Sequence, residues 1–319
     1  MNAPAVKKIF TPELSIILVN WHTYELVEDC LQSLNQTVIT DHDCIVVDNS
    51  QSEEGRRRWR AMPPSMTRWI LNDQNVGFAQ AMNQGISAST GKFILLINPD
   101  CRAEPGTIDA MHQAMEDVPK LGLLGCGLRN TDGSPQTSWY SIFPSLGGVL
   151  LDITGGLALW RNLARHRRYV REAPFRRVAW AKDACLMTRR ALVETIGGLD
   201  ERFFLYCQDA DWCYRARRAG WIVGVLPGWS VVHHGGMSSG HDRARSLGYY
   251  YDAYLKFILK HAGPGPCRMR ERLARALLRS AAASRLVAYA IAAVIRPKFR
   301  PTANAFRRLL LARERPFNP

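Results

Sequence analysis

The sequence predicts an α/β protein whose core is a mostly parallel, doubly wound sheet. Over the first 130 residues, short continuous apolar runs alternate with segments of helical periodicity. This pattern is typical of parallel strands that helices cover on both faces. The chain of 319 residues is 47% hydrophobic, 22% charged and 9% aromatic. This composition supplies a large core and excludes a disordered, collagen-like or small disulfide-rich protein.

The first strand is predicted at residues 14–19, because the short apolar run LSIILV fits a strand that is buried on both faces. A helix follows at 24–36, where apolar residues recur three or four positions apart. The same two criteria give the remaining elements in order. Further strands are predicted at 44–47, 68–71, 92–97, 121–128, 178–187 and 221–225, and further helices at 78–89, 108–115, 191–196 and 212–219.

Polar residues stand where the first four predicted strands end. Asn20 follows the first strand, Asp48 the second and Asn75 the third, while Asn98 and Asp100 follow the fourth. In doubly wound sheets, ligands bind at the carboxyl ends of the strands. Asp and Asn accept hydrogen bonds from a base or ribose and ligate hard cations, although they are also common turn residues.

Positive charge is concentrated at the C-terminal end of the chain. The net charge is +14, and residues 256–319 hold 15 Lys and Arg against two Asp and Glu. Helices are predicted at 247–260 and 267–295. A basic amphipathic helix suits an anionic membrane surface, where each basic residue contributes about 1 kcal/mol; a plain solvated helix is the alternative. Nucleic acid is disfavoured as a partner, because aromatic residues are sparse in this region and no nucleic-acid motif occurs. A second arginine-rich run, at 161–177, fits either a solvated loop or a contact with an anionic acceptor.

The cysteines and the apolar runs bear on the cellular compartment. The eight cysteines include no CxxC pair, which favours buried thiols in a reducing cytosol over a disulfide framework or a zinc site. We find no N-terminal signal peptide and no apolar run of the roughly 18 to 20 residues that a spanning helix needs. We therefore expect a soluble or peripheral protein on the cytoplasmic side of the membrane.

Six short motifs occur in a fixed order along the chain. They are VNW (19–21), VVDNS (46–50), NVGFAQAMNQG (75–85), LLINPD (95–100), FFLYCQDADWCYRARRAGW (203–221) and VVHHGGMS (231–238). The ordered set resembles the bacterial family 2 glycosyltransferases, and within them the rhamnosyltransferase-type branch. The resemblance covers roughly residues 12–240.

The resemblance implies the GT-A fold, in which a nucleotide-binding half is merged with an acceptor-binding half. We expect the nucleotide-sugar-binding half at 1–130 and the acceptor-binding, catalytic half at 131–243. A basic helical tail at 244–319 would then associate with the membrane surface.

The resemblance also implies a divalent cation, Mg²⁺ or Mn²⁺, that neutralises the leaving diphosphate. The DxD motif of the family corresponds to 98–100, with Asn98 in place of the first Asp and Asp100 as the metal ligand. His233 corresponds to a late histidine of the family, a second ligand or a diphosphate contact, with His234 beside it as the alternative.

Nucleotide recognition would rest on the polar strand ends. Asp48 would accept the N3–H of a pyrimidine, with Asn20 and Asn75 nearby, and Gly77 would let the backbone approach the nucleotide. Arg215 would reach the diphosphate, unless it pairs with Asp211 at helical spacing.

The resemblance places the catalytic base on Asp209, which would take the proton of the acceptor hydroxyl. Asp211 is the second candidate, with a helix cap as its alternative role. Gln208 stands where the family has Glu, and the missing charge would lower the pKa of the base. Asp183 stands where the family has Gly, next to the expected sugar site.

These expectations describe an inverting glycosyltransferase of cell-surface polysaccharide synthesis, peripheral on the inner face of the cell membrane. It would move a sugar, for example L-rhamnose from dTDP-rhamnose, to a glycan or lipid-linked glycan acceptor. One alternative is the same scaffold with a UDP-sugar donor. Another is a catalytically inactive glycan- or lipid-binding protein, suggested by Asn98 and Gln208. A sugar nucleotidyltransferase is disfavoured, because no Gly-rich loop follows the first strand.

Overall fold

A computed structural model describes residues 12–61, 67–153, 175–235, 243–263 and 268–311. The strands are β1 (Leu14–Asn20), β2 (His42–Asp48), β3 (Thr67–Leu71), β4 (Phe93–Ile97), β5 (Cys101–Arg102), β6 (Leu121–Arg129), β7 (Pro135–Gln136), β8 (Trp139–Tyr140), β9 (Arg176–Arg177), β10 (Trp180–Ala181), β11 (Cys185–Arg189) and β12 (Ile222–His233). The helices are α1 (Tyr24–Thr37), α2 (Glu53–Ala61), α3 (Phe78–Ala88), α4 (Thr107–Asp117), α5 (Leu146–Ile153), α6 (Arg190–Ile196), α7 (Gln208–Arg218), α8 (Arg243–His261), α9 (Arg268–Ile295) and α10 (Arg300–Leu311).

The central sheet has the strand order β3-β2-β1-β4-β11-β6-β12-β5. Strands β1 to β4 are parallel to one another along this order, whereas β11 runs antiparallel to both of its neighbours, β4 and β6. The predicted α/β fold with a mostly parallel sheet is confirmed. The sheet continues without interruption from β4 to β12. The expected division into two halves, 1–130 and 131–243, and a tail, 244–319, stays a prediction.

The register of the strands brings the polar strand ends to one edge. Asn20 is paired with Asp48 where β1 and β2 end. At the end of β4, Ile97 is paired with Cys185, the first residue of β11. Because parallel strands end on the same side of a sheet, the residues that follow β1, β2 and β4 share this edge with the residues that precede β11.

The predicted strand at 178–187 is wrong as a single element. Its first part is β10, which pairs with β8 in a separate two-stranded sheet, and its second part is β11 in the central sheet. The polar turn at 182–184 separates the two strands. A charged pair, Lys182 and Asp183, lies in this turn, so the chain bends where the apolar run is interrupted.

Strand β12 is longer than predicted and ends at His233. Leu226 is paired with Cys126, but Ser230 is paired with the next residue, Gly127, so residues 227–229 form a bulge. Beyond this bulge, β12 also pairs antiparallel with β5, and His233 lies opposite Cys101.

Two apolar clusters cover the two faces of the sheet. Leu34 of α1 and Met111 of α4 belong to one cluster, and Met82 of α3 and Trp212 of α7 belong to the other. All four side chains are fully buried. Each such side chain stabilises the fold by about 1.5–3 kcal/mol through its removal from water, so both helical layers are held firmly on the sheet.

The C-terminal tail is a helical layer with its own apolar cluster. Leu255 of α8, Leu278 of α9 and Phe306 of α10 pack together with Val149 of α5. The helices predicted at 247–260 and 267–295 are confirmed, and α10 was not predicted. Helix α9 is the one described helix that is long and apolar enough to cross a membrane by length and composition, contrary to expectation. Its many alanines raise the mean hydropathy over 18 residues to 1.4, and 22% of that stretch is buried.

Candidate active site

One part of the candidate site is a hydrogen-bonded cluster around Asp48. Oδ1 of Asp48 accepts from the amide nitrogen of Asn20 at 3.0 Å and from the backbone N–H of Ser50 at 2.9 Å. Its Oδ2 accepts from the hydroxyl of Tyr24 at 2.9 Å. Burial, opposed by a hydrogen bond to Ser50, raises the pKa of Tyr24. Three donors thus hold a buried carboxylate at the strand ends, where it retains acceptor capacity for a ligand.

Gly77 serves the packing of the chain against a distant loop. Its φ of +87° lies in the left-handed region, and a Cβ there would lie 2.6 Å from the ring of Phe204. The backbone N–H of Phe78 donates to the carbonyl of Phe204 at 2.8 Å, and Oδ1 of Asn75 accepts from the N–H of Gly77. The contacts of Asn75 and Gly77 therefore explain these residues structurally, and their contact with a nucleotide stays a prediction.

Asp100 and His233 lie side by side because β5 and β12 pair. Oδ1 of Asp100 is 3.4 Å from Nε2 of His233. On the other side of the ring, Nδ1 lies 2.8 Å from Oε1 of Gln136, which can only accept. The proton of a neutral imidazole is therefore on Nδ1, and the lone pair of Nε2 points toward Asp100. An oriented imidazole of this kind is typical of a metal ligand.

The chemistry of this cluster fits a hard or borderline divalent cation. Asp100, Cys101 and His233 offer ligand atoms that all lie within 4.8 Å of one another. Burial raises the pKa of Cys101 well above its usual value, and its S–H donates to the carbonyl of Ala184 at 3.2 Å. The thiol therefore stays protonated, which leaves one carboxylate oxygen and one imidazole nitrogen, a donor set that suits Mn²⁺ or Mg²⁺.

Asp209 lies in the first turn of α7 and is 6% exposed. Burial, and after it the nearby carboxylate of Asp183, raise the pKa of Asp209 well above its usual range. The amide of Gln208 donates to Oδ2 of Asp183 at 2.7 Å. The negative charge that Gln208 lacks is thus supplied by Asp183, so the expected lowering of the pKa of Asp209 is offset.

Lys182, in the turn before β11, interacts electrostatically with both of these carboxylates. Burial lowers the pKa of Lys182, whereas Asp209 and Asp183 act in the opposite direction. The carbonyl of Ala184, the residue after Asp183, accepts from the backbone N–H of Asn98 at 3.0 Å and from the S–H of Cys101 at 3.2 Å. One polar cluster therefore connects Asp209 with the Asp100–His233 pair, which are far apart in the sequence.

Asp211 and Arg215 occupy structural positions rather than the catalytic and diphosphate-binding ones expected from the sequence. Asp211 is fully buried and pairs with Arg215 at 2.8 Å, with His261 at 2.8 Å and with Lys260. Although burial raises the pKa of Asp211, hydrogen bonds from His261, Lys260 and Arg215 hold it below its usual value. The two other nitrogens of Arg215 donate to the carbonyls of Ile196 and Gly198. Both side chains are thus committed to holding α7 in place.

Parts of two predicted features lie outside the described residues. These are Gly236 and Ser238 of the motif that contains His233, and most of the arginine-rich run at 161–177. Sequence reasoning also missed Gln136, the residue that orients His233. Its one sequence signal is its place just after the turn-forming sequence NTDG at 130–133, around which β6 and β7 form a hairpin.

Comparison with known proteins identifies the family of this chain. The family described as Glycosyl transferase family 2 matches residues 15–214, more than half of the chain. The chain belongs to this family. This family 2 glycosyltransferase is 28% identical over 275 residues to the N-acetylglucosaminyl-diphospho-decaprenol L-rhamnosyltransferase of Mycobacterium tuberculosis, across 79% of this chain and 86% of the relative. It is 26% identical over 237 residues to the low-salt glycan biosynthesis hexosyltransferase Agl10 of Haloferax volcanii, across 73% and 71% of the two chains.

The fold of this glycosyltransferase is similar to that of the mannosyltransferase PcManGT from Pyrobaculum calidifontis, which was solved in complex with GDP-Man and Mn²⁺. The TM-score is 0.57 with 15% sequence identity, over 94% of this chain and 85% of the other. At this identity the likeness establishes the fold alone, and it confirms the expected GT-A architecture.

Replacing Asp211 with Asn should destabilise the protein at neutral pH by about 3–5 kcal/mol, because Arg215 loses its carboxylate partner and Lys260 keeps only Asp200. The folded pKa of Asp211 lies below its unfolded value of about 3.9. The stability from Asp211 is therefore present above about pH 4 and is lost as the pH falls through the folded pKa. The free energy of unfolding, measured with urea between about pH 3 and 7, should therefore fall less toward low pH in Asp211→Asn than in the wild-type protein.

The matched control is Asp252→Asn, which removes another buried carboxylate, paired with Lys256. Burial raises the pKa of Asp252 despite this pairing, so its removal should cost little at neutral pH. Equal losses of stability in the two variants would contradict the role assigned to Asp211.

Proposed function

We propose that this glycosyltransferase moves L-rhamnose from dTDP-L-rhamnose to a lipid-linked N-acetylglucosamine diphosphate acceptor, with inversion at the anomeric carbon. The donor and acceptor are suggested by the name of the mycobacterial relative, which aligns with most of this chain. The single observation that carries the proposal is the polar turn at 182–184, which contacts both ends of the candidate site. Gln208, next to Asp209, donates to Asp183, while the carbonyl of Ala184 accepts from Asn98 and Cys101, on either side of Asp100. This arrangement supports a base and a diphosphate-binding site that act on one bound sugar.

Asp209 is the proposed general base. In an inverting transfer, one carboxylate removes the proton of the acceptor hydroxyl while that oxygen attacks the anomeric carbon. The base works best when its pKa lies near the working pH, and burial beside Asp183 shifts Asp209 in that direction. Oδ1 of Asp209 accepts from the backbone N–H of Ala210 at 2.8 Å, and the backbone N–H of Asp183 also bonds to this carboxylate, so the proposed base is held in place.

Asp100 and His233 are the proposed ligands of Mg²⁺ or Mn²⁺. A bound divalent cation would neutralise charge on the departing diphosphate. Gln136 holds the imidazole of His233 in the required tautomer, and Asp48 with Asn20 would receive the pyrimidine base at the other end of the sheet edge. A pyrimidine N3–H is common to dTDP and UDP, so a UDP-sugar remains the alternative donor.

Transfer should be measured with dTDP-L-rhamnose and a panel of UDP-sugars, using a short-chain lipid-linked N-acetylglucosamine diphosphate as acceptor. Asp209→Asn should lower kcat by about 10²- to 10⁴-fold, because the acceptor proton has no base to receive it. Binding of dTDP should stay near the wild-type value. NMR of the product should show the anomeric configuration opposite to that of the donor.

Full activity of Asp209→Asn would contradict the base assignment. Retention of configuration would contradict inversion. Nucleotide-sugar binding by the wild-type protein without transfer to any acceptor would instead favour the inactive glycan- or lipid-binding alternative.

The metal site can be tested without turnover. Asp100→Asn should weaken Mn²⁺ binding in the presence of dTDP by about tenfold or more, because it removes the one carboxylate of the pair. Titration calorimetry measures this directly. Asp73→Asn is the matched control, since the side chain of Asp73 is 95% exposed and lies outside the cluster. Unchanged Mn²⁺ affinity in Asp100→Asn would contradict the metal assignment.

We further propose that the tail holds the enzyme on the cytoplasmic face of an anionic membrane. The end of α9 presents Val287, Ile291, Val294 and Ile295 to solvent, spaced so that they share one helix face. Val294 is 84% exposed. The exposed Arg296, Lys298 and Arg300 follow directly. Apolar side chains beside basic ones suit insertion into the headgroup region of anionic lipids.

Vesicle flotation should show binding to vesicles that contain an anionic phospholipid and weaker binding to neutral phosphatidylcholine vesicles or at high salt. The double variant Val294→Ser/Ile295→Ser should reduce binding by about tenfold or more, because both side chains lose their apolar contact. Ile39→Ser is the control, since Ile39 is equally exposed, at 90%, but lies between α1 and β2. Equal binding of all three proteins would contradict the proposal, and resistance to alkaline extraction would favour a spanning α9.

A further inference from the structure

Two buried side chains, Asp183 and Gln208, form a hydrogen-bonded pair beside the proposed base. Gln208 is 4% exposed and Asp183 is 8% exposed. The amide nitrogen of Gln208 donates to Oδ2 of Asp183 at 2.7 Å. This bond joins the turn before β11 to the first turn of α7, so the pair has a fixed position in the fold.

The pair leaves a buried acceptor without a donor. Oε1 of Gln208 has no hydrogen-bond partner among the described residues, and neither has Oδ1 of Asn98. Asn98 is close by, because its backbone N–H donates to the carbonyl of Ala184, the residue after Asp183. An unsatisfied buried acceptor costs about 1–3 kcal/mol. Two of them in one cluster indicate a ligand that brings donors.

The oxygen atoms of this cluster indicate which ligand groups could donate hydrogen bonds to it. Asp183, Gln208 and Asn98 present carboxylate and amide oxygens, which accept hydrogen bonds from hydroxyl groups. Most buried polar groups are paired, so the open oxygen of Gln208 is available to a hydroxyl group of a ligand. Gln208 precedes Asp209 in the chain and Asn98 lies two residues before Asp100, so the three residues adjoin both the proposed base and the proposed metal site.

We propose that Asp183, Gln208 and Asn98 form a subsite that binds the hydroxyl groups of a sugar and sets sugar specificity. The subsite rests on the proposed transferase function, which it deepens. The sugar is either the one carried by the donor nucleotide or the one at the end of the acceptor. Both present hydroxyls to the same acceptor atoms.

The first test compares ligands with and without the sugar. Asp183→Ala should weaken the binding of dTDP-L-rhamnose by about ten- to hundredfold, as expected for lost hydrogen bonds to a charged group. Binding of dTDP alone should change by less than about twofold, because it lacks the sugar. If the acceptor supplies the hydroxyls, the KM for the acceptor should rise by the same factor while donor affinity stays constant. Either result supports the subsite.

A second variant separates sugar binding from a structural role. Asp183→Asn/Gln208→Glu exchanges carboxylate and amide, so one hydrogen bond and one charge remain and the fold should keep its stability. Sugar binding should still fall by about tenfold, because the acceptor atoms change place. The control Asp252→Asn removes a buried carboxylate from α8 and should leave all affinities unchanged.

Wild-type affinity for donor and acceptor in the exchanged variant would overturn the subsite. Equal weakening of dTDP and dTDP-L-rhamnose in Asp183→Ala would also overturn it, since the residue would then support the fold of the whole site. These failures differ from failure of the proposed function. In that case the wild-type protein itself would transfer no sugar from any nucleotide donor tested.

Discussion

The position of α7, the helix that carries the proposed base, depends on a buried ion cluster centred on Asp211. Its carboxylate receives Arg215 from its own helix and both Lys260 and His261 from the end of α8. A buried charge is costly unless it is paired, so α7 and the tail helix must come together for any of these groups to be satisfied. Asp209 lies two residues earlier on the same turn. The position of the proposed base is therefore fixed by a cluster that takes no part in chemistry.

The rest of the site retains features that cost stability. Asp209 and Asp183 place two carboxylates in a buried region, and burial raises the pKa of each. Tyr206 and Cys207 adopt left-handed backbone conformations just before α7, with φ values of 71° and 58°. Such conformations are unfavourable for residues other than glycine and are found preferentially at functional sites. The combination fits a pocket that is completed by its ligands.

Sequence reasoning succeeded where one local property determines the structure. Continuous apolar runs located the strands of the parallel half, and the polar residues after them, such as Asn20 and Asp48, lie together at one sheet edge. It failed where the role of a residue depends on partners that are distant in the sequence. The structural role of Asp211, for example, depends on its contacts with Lys260 and His261, which follow about fifty positions later in the chain. Helix α2 was missed because it is short and strongly charged, so it lacks an apolar stripe. The turn that splits β10 from β11 lies inside an otherwise apolar segment.

The bulge in β12 determines which way the late histidine faces. Side chains alternate along a strand, so Leu226 and His233, an odd number of positions apart, would face opposite sides of a regular strand. The three extra residues at 227–229 shift the alternation by an odd number, so the side chains of Leu226 and His233 face the same side of the sheet. Leu226 and Val231 both lie in the same apolar cluster, and His233 shares that side with Cys101. Loss or gain of a single residue in this bulge would turn the imidazole to the other face of the sheet, so the length of the bulge is as much a part of the proposed metal site as the histidine itself.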